Sequence, residues 1–279
     1  MSTDSIRLSR SRGPVESSAS TNDTTPSGRL AGKTALVTGS TRGLGRTAAE
    51  WLAREGCAIV VHGRHQADVD RAVDEIGTLG VMATGVSADL SRVEEAHRLA
   101  EATLAAIPQL DILVNNAGMS IRGSFWDVSD ADWEYQTNVN YRSPFVLAQH
   151  AGRHMIERGV RGRIVNTSTI GAHLCHTNAA VYDAAKGAVE TMTRNMAFEL
   201  GPHGVTVNCV VPGGIPDRPT NGPKPSWGEV IRPYIPLGRA GSSDDTANAV
   251  RFFCLPESGW ITGQCLMVDG GHSTRLWEG

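Results

Sequence analysis

From Gly32 to about residue 269, short apolar runs alternate with longer amphipathic ones, and no other feature of the chain constrains its fold as tightly. Runs of strand character stand at 34–39 (TALVTG), 58–63 (AIVVHG), 81–86, 110–115, 163–169 (RIVNTST), 204–213 and 264–269. Helical patterns lie between them at 44–55, 67–79, 92–106, 130–158, 179–200 and 243–254. Gly56 sits where a helix stop belongs, and Pro144 is expected to divide the 130–158 stretch into two helices. Strands and helices alternating at this spacing imply a parallel sheet covered on both faces, an α/β doubly wound domain of about seven strands. Residues 214–235, rich in Pro and Gly, read as a loop, and nothing after residue 32 reads as a repeat or a linker, so 29–279 is expected to be one domain.

Composition narrows the function. The 279 residues are 40% apolar with a formal net charge of -3, and no basic patch is interleaved with aromatics, so nucleic acid is not an expected partner. No apolar run approaches the roughly 18 residues of a membrane helix, and no membrane partner is expected. The five cysteines (57, 175, 209, 254 and 265) are scattered without a CxxC pair, which fits reduced thiols in a cytoplasmic protein better than a disulfide framework. Residues 1–28 are rich in Ser, Thr and Arg, lack the apolar core of a secretory signal and read as a disordered tail.

The first apolar run ends in TGSTRGLG, residues 38–45, a glycine-rich turn that opens on a helix. In such a turn Gly39, Gly43 and Gly45 let the backbone approach a pyrophosphate, and the helix start offers free N–H groups, so a dinucleotide site of Rossmann type is expected. The spacing is not GxGxxG, but the logic is the same. The second run ends His62-Gly63-Arg64-His65 with no acid before Asp68. An acid there would bind the ribose 2′-hydroxyl of NAD, whereas Arg42 and Arg64 suit the 2′-phosphate of NADP, so NADP(H) is favoured over NAD(H). Further on, VYDAAKG (181–187) places Tyr182 and Lys186 four residues apart, although the chain holds only three lysines and four tyrosines. One helical turn separates them, and an ammonium beside a phenol pulls its pKa below about 10, which makes an acid/base pair.

Taken together over residues 30–271, these motifs, with Asp89-Leu90, NNAG (115–118), Pro212-Gly213 and ITGQCLMVDGG (261–271), resemble the short-chain dehydrogenase/reductase family. The closing segment resembles the branch of 3-oxoacyl-acyl-carrier-protein reductases and glucose dehydrogenases. The resemblance implies an NAD(P)-dependent oxidoreductase that interconverts a ketone and a secondary alcohol, with Tyr182 as general acid/base, Lys186 tuning it and binding the nicotinamide ribose, and Asn140 completing a proton relay. Asn140 is preferred to Asn138 because Asn140-Tyr-Arg-Ser-Pro-Phe145 fits the family pattern. Gly39, Thr41, Arg42, Gly43, Leu44, Gly45, Arg64, Asp89, Leu90, Asn116, Ala117, Gly118, Tyr182, Lys186, Pro212, Gly213 and Ile215 are the implied cofactor contacts.

Two departures from the family stand out. The catalytic hydroxyl, a serine 13 residues before the tyrosine in the family, falls on Thr169, with Ser168 as the alternative if the loop shifts by one. Asp217 stands where a threonine is usual. Ser168, Thr169, His173 and Tyr182 are the expected substrate contacts. His173, Cys175 and His176 form an HxCH cluster that reads as pocket lining, and no metal is expected. Trp126 and Trp227 fall in loops able to cover a substrate. The substrate is a small carbonyl or alcohol, a carrier-bound acyl thioester or a sugar or polyol. Arg158, Arg161 and Arg163 favour the carrier, while His203 in place of an arginine weakens it. A non-catalytic nicotinamide sensor or scaffold is the reading from another class. Family resemblance further implies a homo-oligomer, a tetramer or dimer, with the closing HSTRLWEG reaching a neighbour or fraying.

Overall fold

The computed structural model describes residues 28–216 and 227–274; the expected N-terminal tail, Asp217, the side chain of Trp227 and residues 275–279 lie outside the described residues. The chain runs β1 (Thr34–Val37), α1 (Gly43–Arg54), β2 (Ala58–Gly63), α2 (Gln66–Gly77), β3 (Ala83–Ser87), α3 (Val93–Ala106), β4 (Ile112–Asn115), α4 (Asp130–Thr137), α5 (Ser143–Glu157), β5 (Arg163–Thr167), α6 (Ala180–Leu200), β6 (Thr206–Pro212), α7 (Trp227–Ile231), α8 (Ser243–Cys254) and β7 (Cys265–Val268). One parallel sheet of seven strands takes the order β3-β2-β1-β4-β5-β6-β7. The strands read as continuous apolar runs because both faces are covered. Ala35, Val37, Ile59, Val61, Ile112 and Val114 pack on α1, α2 and α8, while the intervening Leu36, Val60 and Leu113 pack on α3 and α5.

Two expectations needed correction. The long helical stretch breaks at a wide turn over Asn138–Arg142, where the Ser143 N–H reaches back five residues to the Asn138 carbonyl, and not at Pro144. Pro144 falls in the first turn of α5, where its missing N–H costs little. The 214–235 segment is not all loop: it holds the short α7 and a 3-10 turn at Arg232–Tyr234.

At the carboxyl end of β1 the chain is fastened to its neighbour by a buried histidine. His62, at the end of β2, is 2% exposed and its Nδ1 accepts from the Gly39 N–H at 3.1 Å. That ring nitrogen is therefore unprotonated, and Nε2 carries the proton toward the Ala88 carbonyl at 3.1 Å, just past β3. Ser40 completes the tie, donating to the Val37 carbonyl at 2.7 Å and accepting from the His62 N–H at 3.1 Å. Burial holds the imidazole neutral, its pKa pushed from 6.5 to about 4.

The sign of the resulting pH dependence follows. Between pH 6.5 and about 4 the unfolded chain binds a proton at this side chain that the folded chain refuses, so stability falls as pH drops through that window. At pH 4.5 the loss relative to neutral pH is about 2.5 kcal/mol from this one group. In His62→Asn, which keeps an acceptor for Gly39 but does not titrate, the urea midpoints at pH 7 and 4.5 should lie correspondingly closer together. An unchanged gap between them would show that the imidazole is not buried neutral.

Candidate active site

Strand order reverses between β1 and β4, so the connections leaving these neighbours pass to opposite faces and open a crevice at their carboxyl ends. There a cleft of about 580 Å³ runs from the glycine turn to Tyr182. Its floor is tied by Thr38, whose Oγ1 accepts from the N–H groups of Asn116 and Ala117, each at 3.0 Å. The Asn116 amide donates back to the Thr38 carbonyl at 2.9 Å. Gly39 turns the chain at φ +65°, and a Cβ on Gly45 would collide with the Asn116 amide and the Gly39 carbonyl. Arg42, the N-cap of α1, places no side chain on the first N–H groups, and Thr41, Arg42, Gly43, Leu44 and Gly45 line the cleft.

One end of the cleft is rich in arginine. Arg64 points its guanidinium at the Tyr135 hydroxyl, 3.1 Å away, and Arg42, His65 and Arg71 line the same space. Asp68 is also present, but its carboxylate is paired with Arg71 at 2.6 Å. Asp89 and Leu90 form the neighbouring wall, with Asp89 Oδ1 accepting from the Ser91 N–H at 3.1 Å. Tyr135 and Arg71 were not anticipated from the sequence, because each reaches the site from a helix whose local pattern is that of an ordinary solvated face.

The other end collects the hydroxyls and the lysine. Asn116, Ala117, Gly118, Pro212, Gly213 and Ile215 line it, as do Thr169, Tyr182 and Lys186. Lys186 is 3% exposed, its Nζ donates to the Thr167 carbonyl at 2.8 Å, and it stands 6.0 Å from the centre of the Tyr182 ring. Burial lowers its pKa from 10.5 to about 8. Asn140 is wholly buried in the wide turn; its side chain accepts from the Met119 N–H at 3.0 Å and donates to the carbonyls of Met119 (2.6 Å) and Gln136 (2.8 Å). That clamp brings Gly118 so close that a Cβ there would stand 3.2 Å from Asn140 Oδ1 and 3.4 Å from Lys186 Nζ. Asn138 packs elsewhere, donating to the Ser91 carbonyl at 2.9 Å.

The two neighbouring hydroxyls are separated by their partners. Ser168 lines the cleft, but its Oγ is directed to the Glu190 carboxylate at 2.7 Å and to the Lys186 carbonyl. The expected substrate contact at Ser168 is thus spent inside the protein. Among the described residues, Thr169 Oγ1 accepts from the Gly171 N–H at 3.3 Å and keeps its own proton to donate. His173 also departs from expectation: its Nε2 meets Glu190 at 2.9 Å, and it lies off the cleft wall. His176 is the histidine that approaches the tyrosine, with ring centres 6.5 Å apart and Nδ1 held 2.8 Å from Asp183. Among the described residues no cluster of His, Cys, Asp and Glu is arranged to hold a metal ion, and no helix is long and apolar enough to cross a membrane. Trp126 is exposed beside Phe125 rather than packed over the cleft.

The donor set fits an extended dinucleotide. Glycines clear one wall, arginines gather at one end, and the buried hydroxyls of Thr167 and Ser120 stand in the cleft wall without a partner among the described residues. Comparison with known proteins agrees. The family model described as enoyl-(acyl carrier protein) reductase matches residues 39–273. The (2S)-[(R)-hydroxy(phenyl)methyl]succinyl-CoA dehydrogenase subunit BbsD of Thauera aromatica is 37% identical over 248 residues, covering 86% of this chain and 96% of that protein. The 3-oxoacyl-[acyl-carrier-protein] reductase FabG of Aquifex aeolicus is 36% identical over 244 residues, 87% of this chain and 98% of its own length. Among solved structures, a blue fluorescent protein from a metagenomic library in complex with NADPH superposes with a TM-score of 0.80 at 32% identity, covering 88% of this chain and 99% of that one. Cleft, sheet order and matched relatives lead to one conclusion: the chain belongs to the short-chain dehydrogenase/reductase family and is an NAD(P)-dependent oxidoreductase of the branch that includes 3-oxoacyl-acyl-carrier-protein reductases.

Proposed function

We propose that the enzyme interconverts a ketone and a secondary alcohol with NADP(H), Tyr182 exchanging the proton at the substrate oxygen. The observation that carries this reading is the buried Lys186 ammonium 6.0 Å from the Tyr182 ring, at one end of a cleft whose other end gathers Arg42 and Arg64. The nicotinamide cofactor, when bound, supplies or accepts the hydride. Gly39 through Gly45 would hold its pyrophosphate, Asp89 and Leu90 its adenine, Arg42 and Arg64 its 2′-phosphate, and Asn116–Gly118 with Pro212, Gly213 and Ile215 its nicotinamide half.

The chain supplies the rest. Thr169 donates its hydroxyl proton to the substrate oxygen and orients it toward Tyr182. Tyr182 gives its proton to that oxygen in reduction and takes it back in oxidation. Lys186, protonated below about pH 8, favours the phenolate that remains and has further N–H donors for the ribose. Asn140 acts here by holding Met119, and with it Gly118 close to Lys186. Pro144, four residues on, lacks the N–H that would normally close on the Asn140 carbonyl, which suits that carbonyl to accept a relay water. The exposed Phe145 on α5 and Phe198 on α6 favour a homo-oligomer, and free thiols fit a cytoplasmic setting.

Following NADPH and NADH oxidation in parallel against a β-keto thioester, a ketose and a cyclic ketone tests the reading and identifies the substrate class. Tyr182→Phe should lower turnover about 10³-fold while NADPH affinity changes less than about threefold. Full activity in that variant refutes the assignment. Removing Arg42 and Arg64 together should raise KM for NADPH about 10- to 100-fold and leave NADH nearly unaffected, the scale of lost charged hydrogen bonds. Equal losses with both cofactors would assign the arginines another role. Lys186→Met should separate stability from activity. Its folded pKa of about 8 lies below the unfolded value, so burying the ammonium costs stability at all pH below 8, and that cost fades as pH rises from 8 to 10.5. The ligand-free variant should therefore gain about 2 kcal/mol at pH 7 after loss of the bond to Thr167, while turnover falls more than about 100-fold. A less stable variant would contradict the buried charge.

A further inference from the structure

Away from the cleft, two cysteines 56 positions apart in sequence meet on the last two strands. Cys209 of β6 and Cys265 of β7 are direct partners in the parallel register. Both side chains join one small cluster under α6, with Ile170, Val189 and Met192, so they leave the sheet on the same face. Adjacent strands lie about 4.8 Å apart, inside the roughly 4.4–6.8 Å between Cα atoms that a disulfide spans. Both thiols are free. Cys209 is wholly buried in the interior strand, whereas Cys265 is half-buried on the terminal strand of the sheet, with the Arg194 guanidinium 4.0 Å from its sulfur.

We propose that Cys209 and Cys265 form a reversible thiol–disulfide site that hydroperoxides oxidise. Cys265 is the attacking thiol, and Cys209 resolves it. The Cys265 thiolate attacks the outer oxygen of a hydroperoxide; the O–O bond breaks, the sulfur is oxidised to a sulfenic acid, and the departing alkoxide or hydroxide takes a proton from water. The Cys209 sulfur then displaces hydroxide from that sulfenic acid, its proton leaving with the hydroxide as water, and the S–S bond forms. A dithiol reductant reverses both oxidation equivalents.

The surroundings assign the two roles. The neighbouring Cys209 thiol pulls the Cys265 pKa down, and Arg194 adds to this, against half-burial and the Glu190 carboxylate. Cys209 is shifted the other way, by Cys265, by burial and by Glu190, with Lys186 opposing. The sulfur whose pKa is lowered thus belongs to the half-exposed cysteine, as a peroxide-reactive thiol requires. Cys57 and Cys254 make the contrast: burial in the core around α1 and α8 pushes both thiols up, Cys254 to about 12, and each is closed off from solvent.

The test uses the full-length protein and hydrogen peroxide, followed by alkylation and peptide mass analysis. The expected product is an intrachain link between the peptides holding Cys209 and Cys265, with two of the five thiols lost and both recovered by dithiothreitol. In Cys209→Ala, Cys265 should stop at the sulfenic acid and be trapped by dimedone. Arg194→Gln should slow oxidation at pH 7 about threefold and leave the rate at pH 9.5 nearly unchanged, because the thiolate is then formed without help. A link between Cys265 residues of two chains, or oxidation of Cys175 with residues 209 and 265 still reduced, overturns the proposal. The wild-type link is read without any variant, so a poorly folding substitution does not decide the matter.

Discussion

The cleft depends on how two adjacent strands end. β1 and β4 run side by side, yet the chain leaves one toward α1 and the other toward the opposite face, and the gap between those exits would collapse or flood without a fastening. Thr38 and Asn116 provide it, each satisfying backbone groups of the other strand's extension. The exchange pairs the Asn116 and Ala117 N–H groups and the Asn116 side-chain amide at the bottom of the crevice, where an orphaned buried group would cost about 1–3 kcal/mol. Because Asn116 is held there, nothing larger than hydrogen fits at Gly45, and the start of α1 can press against the end of β4. Ser40 and His62 extend the fastening outward to β2 and β3.

Against this tied frame the lysine end of the cleft is electrostatically expensive. Lys186 and Glu190 are one helical turn apart on α6 and both are nearly buried, yet the ammonium is directed to the Thr167 carbonyl and the carboxylate to Ser168 and His173. Each charge is met by hydrogen bonds before it meets the other. Burial then moves the lysine toward the neutral range, a useful property in a group whose neighbour is proposed to exchange protons. A stable fold alone would be served as well by an apolar side chain at this position.

How much of this could be read from the sequence varied with how local the cause was. Strand and helix alternation is a local pattern, and the seven strands stand where the apolar runs placed them, β2 with the same bounds and the others shifted or shortened at an end; β3, for example, begins at Ala83 rather than 81 and runs to Ser87. The nearness of Tyr182 and Lys186 was legible because four residues on a helix is a fixed spatial offset. The choice between Ser168 and Thr169 was only half legible: alternation along a strand says that they face opposite ways, but not which way, and it took Glu190 on a distant helix to claim Ser168. His173 was misread for the same reason, since its partner lies 17 positions away. His62, Tyr135 and Arg71 carry no motif at all, and their roles exist only after the sheet assembles. The wide turn was also hidden, because Pro144 drew attention to the nearest conventional breaker.

That turn has a consequence for how this chain can change. An α-helix advances about 100° per residue, so one extra residue rotates everything before it by that angle relative to everything after it. α4 and α5 are in effect one rod with an inserted step, and Asn140 is on the step. Deleting a single residue anywhere in 138–142 would restore an unbroken helix while swinging Tyr135 away from the cleft and Gln136 away from the Ile121 N–H. Point substitutions can drift freely over the outer faces of these helices, but their lengths are coupled: a loss on one side must be matched by a gain on the other. Insertions and deletions, rather than replacements, are the changes this stretch tolerates least.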